Sequence, residues 1–207
     1  MKHSADEIEN SERYTLLLEL PYYDIVPFLV EYIKKYTPVI ISGIIILAIM
    51  VSGLIIMRIG IAGDYPFGQI LTHSLLGAIV IPALLILPHE LLHIIPYYLS
   101  GARDIRIRAN WREAYFFVTA HRHVISRRWF IPVAITPALV ITIMLVTVAF
   151  FVSPLWQWSI ACAIVSHYTM CAGDLALLNY FHIHRKNNIV TWDDTEKGLS
   201  YFYRFDG

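Results

Sequence analysis

Residues 81–100 read IPALLILPHELLHIIPYYLS, and this stretch decides the fold. It ends an apolar run in which the 25 residues from Tyr65 to His89 include no Asp, Glu, Lys or Arg. About 20 apolar residues are enough to cross the hydrocarbon core of a bilayer. The run therefore predicts a membrane-spanning helix that carries one acidic residue, Glu90, and two histidines, His89 and His93, inside the membrane.

Two further runs lack charged residues in the same way. The run from Tyr36 to Met57 has 22 residues, and the run from Trp129 to Gly173 has 45, with Ser153 and Pro154 marking a turn near its middle. We predict an all-α membrane protein with about four transmembrane helices and a short cytoplasmic-side loop or hairpin between helices two and three. The predicted helices cover roughly residues 37–59, 67–99, 129–152 and 155–183.

Composition supports a membrane protein and excludes other classes. Hydrophobic residues make up 57% of the 207-residue chain and charged residues 15%, whereas a soluble domain carries about 25% charged residues. The formal net charge of zero argues against a nucleic-acid partner. We expect a cytoplasmic or interfacial segment at 1–36, one membrane domain at 37–184 and a cytoplasmic tail at 185–207. Residues 24–36 are compatible with an interfacial amphipathic helix or with a solvated lead-in.

The distribution of Lys and Arg predicts the orientation of the helices. Fifteen of the sixteen lie in the amino-terminal segment, the loop between helices two and three, and the tail, and the exception is Arg58. Cytoplasmic segments keep the positive excess, so both termini are expected in the cytoplasm, at the membrane of a prokaryotic cell. The Arg-rich loop, 103–128, is expected either to bind anionic lipid headgroups or to form a hairpin that adds a strand of substrate.

The segment His89-Glu90-Leu91-Leu92-His93 has the form H-E-x-x-H. On a helix, positions i and i+4 lie about 6 Å apart along one face, so His89 and His93 can bind one zinc ion. Glu90 would then lie beside the metal, where it can take a proton from water. The competing interpretation is a polar patch inside the bundle, with the histidines hydrogen-bonded to neighbouring hydroxyl groups.

A catalytic zinc site needs a third protein ligand, and Asp174 is the leading candidate. Counted back from Arg103 and Arg185, His93 and Asp174 lie at depths of roughly 15 and 16 Å. His167 is the rival, but it lies about 10 Å from Asp174 along a straight helix. It stays a candidate for orienting a ligand or polarising the substrate, and the alternative is a hydrogen-bonded histidine of the bundle with no role in the site. Four histidines are expected at the interface and one, His73, too far away to join the site; the four are His121, His123, His182 and His184.

Cys162 and Cys171 are nine residues apart on the fourth predicted helix. A disulfide needs Cα atoms within about 7 Å, whereas a helix separates these two by roughly 13 Å. We therefore expect both thiols to be free.

From Gly68 to His184 the chain resembles the family of small four-helix membrane proteins described as putative zincin peptidases, which are related to intramembrane metalloproteases of the site-2-protease type. The matching features are the HELLH segment, the Arg- and aromatic-rich connection, and Gly173-Asp174-Leu175. The resemblance implies that His89, His93 and Asp174 bind zinc and that Glu90 is the general base. Unlike site-2 proteases, the chain has no Asn-Pro pair, and Gly precedes the Asp.

The predicted function is that of a membrane-embedded zinc metalloprotease that hydrolyses a peptide bond of a membrane protein or peptide. The alternative is a non-catalytic, metal-binding membrane scaffold or regulatory protein. Pro82, Pro88 and Pro96 would either loosen helix two and admit water or act as ordinary kinks.

Overall fold

The computed structural model describes residues 4–110 and 115–206. The helices are α1 Ala5–Glu9, α2 Ile25–Ile33, α3 Pro38–Gly60, α4 Phe67–Leu75, α5 Ile81–Leu92, α6 Ile94–Ser100, α7 Arg127–Ala149, α8 Pro154–Met170 and α9 Ala172–Ile183. A short 3₁₀ turn, Tyr22–Asp24, precedes α2, and a π-helical turn, Leu76–Val80, joins α4 to α5. The strands are β1 Tyr14–Pro21, β2 Ile105–Asn110, β3 Tyr115–Ala120, β4 Ile125–Ser126, β5 Ile189–Asp194 and β6 Leu199–Phe205.

Three helical stretches are long and apolar enough to cross a membrane: α3, the run Phe67–Ser100 that joins α4 to α6, and α7. The pair α8 and α9 makes a fourth if the two are taken as one span bent by 42°. The helices predicted from the charge-free runs are therefore confirmed, with ends that differ by a few residues. These helices expose many apolar side chains, such as Ile49, Ile56 and Leu84, as lipid-facing helices do.

The second span changes from α-helical to π-helical hydrogen bonding just before Pro82. Because Pro82 has no N–H, a regular α-helix would leave a carbonyl unpaired at this point. The chain instead forms the π-helical turn Leu76–Val80, in which the amide of Ile81 donates to the carbonyl of Leu76. Gly77 lies in this turn against the backbone of Ser159 in α8, where a Cβ atom would approach the Ser159 carbonyl oxygen to 2.1 Å. The turn therefore depends on glycine.

The fourth span is bent, and this corrects the prediction of one straight helix over 155–183. The backbone leaves the α-helical region at Cys171, whose amide is shared between the carbonyls of His167 and Tyr168 at 3.3 and 3.2 Å. Such tightened turns are common where a helix ends. The axis changes direction there by 42°.

A four-stranded antiparallel sheet, in the order β1-β6-β5-β4, lies at one end of the bundle, so the prediction of an all-α protein was wrong. The strands β1 and β6 pair residues almost at opposite ends of the chain, with Tyr14 opposite Phe205 and Pro21 opposite Leu199. The strands β5 and β6 form a hairpin whose turn contains Gly198 at φ +69°. The sheet joins the amino-terminal segment, the loop and the tail, so these three segments lie at the same end of the bundle.

Residues 24–36 form a helix over Ile25–Ile33, as one of the two interpretations of this segment expected. The apolar face of α2 packs on protein: the Phe28 ring lies 5.3 Å from Tyr180 in α9 and 6.2 Å from Phe202 in β6. The side chain of Asn179 is fully buried and donates to the carbonyls of Tyr32 and Lys35, which closes the helix end. The segment before the first span is thus fixed against α9.

The Arg-rich loop contains a hairpin, which agrees with the predicted loop or hairpin between helices two and three, and Ile105 lies opposite Ala120 in it. Residues 111–114, including Arg112, lie outside the described residues. Two of the arginines form ion pairs inside the protein. Arg106 pairs with Asp104 at 2.7 Å, and Arg122 pairs with Asp6 at 2.7 Å. The strand β3 packs against α5, which brings the hairpin to the H-E-x-x-H segment.

Candidate metal centre

The three predicted ligands lie together where α5 meets the start of α9. The Nε2 atom of His89 lies 3.3 Å from Oδ2 of Asp174, and Nε2 of His93 lies 3.7 Å from Oδ1 of the same carboxylate. Both histidines are buried, at 7% exposure each. The structure thus brings together residues that are about 80 positions apart in the chain.

The other ring nitrogen of His93 is held by the backbone of α7. Its Nδ1 donates to the carbonyl of Val133 at 2.9 Å. That carbonyl is free because the residue four positions later is Pro137, which has no N–H to donate to it. The donation leaves Nε2 of His93 as the unprotonated nitrogen that faces Asp174.

The other ring nitrogen of His89 faces His167. Its Nδ1 shares a hydrogen bond with Nε2 of His167 at 3.1 Å, and the thiol of Cys171 lies 4.0 Å from the same Nδ1. His167 is 1% exposed, and its Nδ1 has no hydrogen-bond partner within the described part of the chain. The bend at Cys171 explains how His167 and Asp174 can both contact His89, which a straight helix would not allow.

The two histidine–carboxylate distances are close to those between ligand atoms of a zinc site. Zinc–ligand bonds of about 2.0–2.2 Å in tetrahedral geometry separate neighbouring ligand atoms by roughly 3.3–3.5 Å. The His89–Asp174 distance falls in that range and the His93–Asp174 distance is slightly wider. Two groups of donors each have atoms that lie within 4.8 Å of one another: one is His89, Glu90 and His93, and the other is His89, His167 and Cys171. Sequence reasoning considered Cys171 only as a disulfide partner and missed its position here.

A cavity of about 210 Å³ adjoins these residues. Glu90 lines it and is partly exposed, and its carboxylate lies within reach of the backbone amide of Val118 in β3. The strand β3 pairs with β2. The Val118 amide shows that β3 also borders Glu90. Glu90 therefore has access to water and a neighbouring edge of β-structure.

Part of the cavity lining comes from the sheet and the segment before α2. Asp193 of β5 accepts a hydrogen bond from the Ser200 hydroxyl at 2.5 Å, and burial raises the pKa of this carboxyl to about 6. Tyr22 also lines the cavity, and burial, followed by the charge of Asp193, raises the pKa of its phenol. Sequence reasoning missed both residues, because Tyr22 lies in the predicted amino-terminal segment, 1–36, and Asp193 in the predicted tail, 185–207.

The remaining histidines lie away from this centre. His73 contacts the Ser159 hydroxyl at 2.7 Å, His121 contacts Thr195, and His123 contacts Ser100. His182 and His184 are at the end of α9, as predicted. Cys162 and Cys171 are both free, so the prediction that they do not bridge is confirmed.

Apolar spans, a bent fourth helix and an H-E-x-x-H segment facing a distant Asp define a helical membrane-type protein with a zincin-like centre. The chain belongs to the family described as "Putative zincin peptidase", whose model matches residues 82–189, just over half of the sequence. The matched part contains His89, Glu90, His93 and Asp174. No curated protein and no solved structure matches the chain. Family membership supports a metallopeptidase that uses zinc.

Proposed function

We propose that the protein is a membrane-embedded zinc metallopeptidase that hydrolyses a peptide bond of a membrane protein or peptide. The observation that carries the proposal is the convergence of Nε2 of His89 and Nε2 of His93 on the Asp174 carboxylate, with Glu90 lining the adjoining cavity. Three donors with an open side next to a carboxylate are the arrangement of catalytic rather than structural zinc sites.

Each residue of the centre has a distinct role in the proposal. His89, His93 and Asp174 hold the ion, which when bound supplies the Lewis acidity that makes water nucleophilic near neutral pH. Glu90 accepts the proton of the attacking water, holds it on its carboxylate, and donates it to the leaving amine. His167 and the Val133 carbonyl hold the two imidazole rings in orientation through their Nδ1 atoms.

Access from the bilayer supports a membrane substrate. An apolar groove of about 410 Å³ runs between α3 and α7 over α9, and it is lined by residues such as Ile46, Ile135 and Leu178. The groove also reaches Asp174 and Cys171. A hydrophobic segment of substrate could therefore approach the centre from the lipid side without crossing water.

The β-hairpin supports an extended conformation of that substrate. Peptide carbonyls in a helix are hidden in hydrogen bonds, so hydrolysis needs an unwound segment. The β3 backbone at Val118 borders Glu90 and offers amide and carbonyl groups for strand pairing. Anionic lipid headgroups are proposed partners of Arg127 and Arg128 at the start of α7, since neither forms an ion pair within the described residues.

The test compares wild type with Glu90→Gln. We expect both proteins to purify with zinc, measured by elemental mass spectrometry, because the glutamate is not a ligand in the proposal. Hydrolysis should fall by a factor of about 10²–10⁴. Membrane proteins that accumulate in cells carrying Glu90→Gln, identified by mass spectrometry, are the expected substrates. The exposed Glu196→Gln, outside the bundle, is the matched control and should not cause accumulation.

Two results would contradict the proposal. If Glu90→Gln keeps its zinc and the substrate still disappears at the wild-type rate, the glutamate is not the base. If His89→Ala and Asp174→Ala both keep full zinc occupancy, the ion binds elsewhere. A protein that holds zinc at these residues but produces no accumulation difference would be the non-catalytic scaffold.

A further inference from the structure

The cavity has a second acidic group that the proposed hydrolysis does not use. Asp193 lies on β5 and lines the same cavity as His89, Glu90 and Asp174. Its side chain is partly exposed, although it lies deep in the protein. Asp193 therefore faces the space in which a substrate would lie.

Asp193 has no positively charged partner within the described part of the chain. Its Oδ1 accepts from the Ser200 hydroxyl at 2.5 Å, and Lys, Arg and His side chains of the described residues form no ion pair with it. A buried carboxylate that lacks a cation is costly. The neighbouring Asp194, in contrast, pairs with Arg122 at 3.1 Å and is turned away from the cavity lining. Of these two adjacent aspartates, Asp193, which lines the cavity, is therefore the one that lacks a positively charged partner among the described residues.

The surroundings of Asp193 suit a cationic nitrogen. The rings of Tyr22 and Phe117 line the same cavity and pack edge to face at 4.9 Å. Aromatic rings beside a carboxylate attract ammonium groups through cation–π and ionic interactions together. Apart from the ion of the proposed centre, the other lining residues that carry formal charge are the carboxylates Glu90 and Asp174, so no lysine or arginine among the lining residues would repel a cationic nitrogen.

Three of these lining residues also lie in different parts of the sequence from the metal centre. The family match covers residues 82–189, whereas Tyr22, Asp193 and Ser200 lie outside it. Tyr97, which lies inside the matched part, also lines the cavity. The residues proposed to perform hydrolysis are therefore in the matched part, whereas flanking segments supply Tyr22, Asp193 and Ser200, and the matched part supplies Phe117.

We propose that Asp193 binds a cationic nitrogen of the substrate, either a lysine side chain or a free α-amine, next to the bond that is cut. The cavity of about 210 Å³ has room for one such group and its aliphatic stem. This inference rests on the proposed peptidase function, because it assigns the substrate class of the same cavity.

The experiment measures binding rather than hydrolysis, so that it stands apart from the test of Glu90. Full-length, zinc-loaded Glu90→Gln protein in micelles is titrated with fluorescent Leu/Ala peptides of about 20 residues. One set carries a single lysine at successive positions and an acetylated amino terminus, and a matched set carries norleucine. A third set has norleucine and a free amino terminus, which distinguishes the α-amine from the side chain.

We expect at least one lysine or free-amine peptide to bind 10-fold or more tightly than its neutral match. Adding Asp193→Asn should reduce that ratio to about one, while Asp104→Asn, an exposed carboxylate outside the cavity, should leave it unchanged. Equal binding of charged and neutral peptides at all positions would overturn the inference, and so would a ratio that survives Asp193→Asn. If Asp193→Asn fails to fold, the ratio of charged-peptide to neutral-peptide binding in the protein with Asp193 intact still tests the inference.

Discussion

At the scale of single residues, the centre depends on what the second nitrogen of each histidine contacts. His89 and His93 each direct Nε2 to Asp174 and use Nδ1 for a hydrogen bond, to His167 and to Val133 respectively. A partner on Nδ1 fixes the tautomer and the ring orientation, and it raises the basicity of the metal-binding nitrogen. In the proposed zinc site, these partners would therefore set the zinc affinity without touching the ion.

Replacement of His167 tests this role. His167→Ala should weaken zinc binding by about 10–100-fold, because the His89 ring loses the hydrogen bond that orients it. His167→Gln keeps a polar group at the position and should restore part of the affinity, which competition with a chelator measures. The matched control is His73→Ala, which removes a histidine bonded to Ser159 far from the centre. Wild-type affinity in His167→Ala, or an equal loss in His73→Ala, would contradict the assigned role.

At the scale of elements, breaks in helices supply the groups that the centre needs. Pro137 frees the Val133 carbonyl in α7 for His93, and the end of α8 at Cys171 turns His167 toward His89. A proline inside a helix costs about 3 kcal/mol. Its presence in a membrane span is explained here by the acceptor that it leaves open.

Substitution of this proline should separate stability from metal binding. In Pro137→Ala, the new amide can donate to the Val133 carbonyl and compete with Nδ1 of His93, so we expect zinc affinity to fall by about 10-fold. The thermal unfolding temperature should stay equal or rise, since the helix gains a hydrogen bond. Pro132→Ala, in the same helix but without a link to His93, is the control. Unchanged zinc affinity in Pro137→Ala would show that the freed carbonyl is not needed.

The contact of the π-helical turn with α8 gives a second test at this scale. Gly77→Ala places a Cβ atom 2.1 Å from the Ser159 carbonyl oxygen and 2.7 Å from the Cβ of Cys162, so the helices must separate. Overpacking of this kind costs about 1–3 kcal/mol, which should lower the unfolding temperature in micelles. Gly53→Ala meets nothing within 4 Å and should be neutral or slightly stabilising. Equal unfolding temperatures for the two variants would contradict the packing.

At the scale of the whole molecule, the sequence predicts what depends on local composition. The charge-free runs predict the spans, and the H-E-x-x-H spacing with a count of helical depth predicts that His93 and Asp174 lie level. The sheet could not be predicted in this way, because β1 pairs with β6 across almost the whole chain and no local pattern in either strand identifies its partner. The His89–His167 contact was missed for a related reason, since the bend at Cys171 follows from packing rather than from a local breaker.

The sheet also has a consequence for orientation. It requires the amino-terminal segment, the hairpin loop and the tail to lie on the same side of the membrane, which four spans satisfy. These segments hold all Lys and Arg residues except Arg58, so we propose that this side is the cytoplasm. The connection between α3 and α4, with Asp64, would then face the outside.

Single cysteine variants test that arrangement with a membrane-impermeant maleimide. Glu12→Cys and Lys186→Cys replace exposed residues on the sheet side, and Asp64→Cys replaces an exposed residue at the opposite end. The native Cys162 and Cys171 are buried and should give a low background. Intact cells should label Asp64→Cys alone, and inverted vesicles should label the other two. Labelling of Glu12→Cys and Asp64→Cys from the same side would mean that α3 does not cross the membrane, whereas the reverse pattern would place the sheet outside the cell.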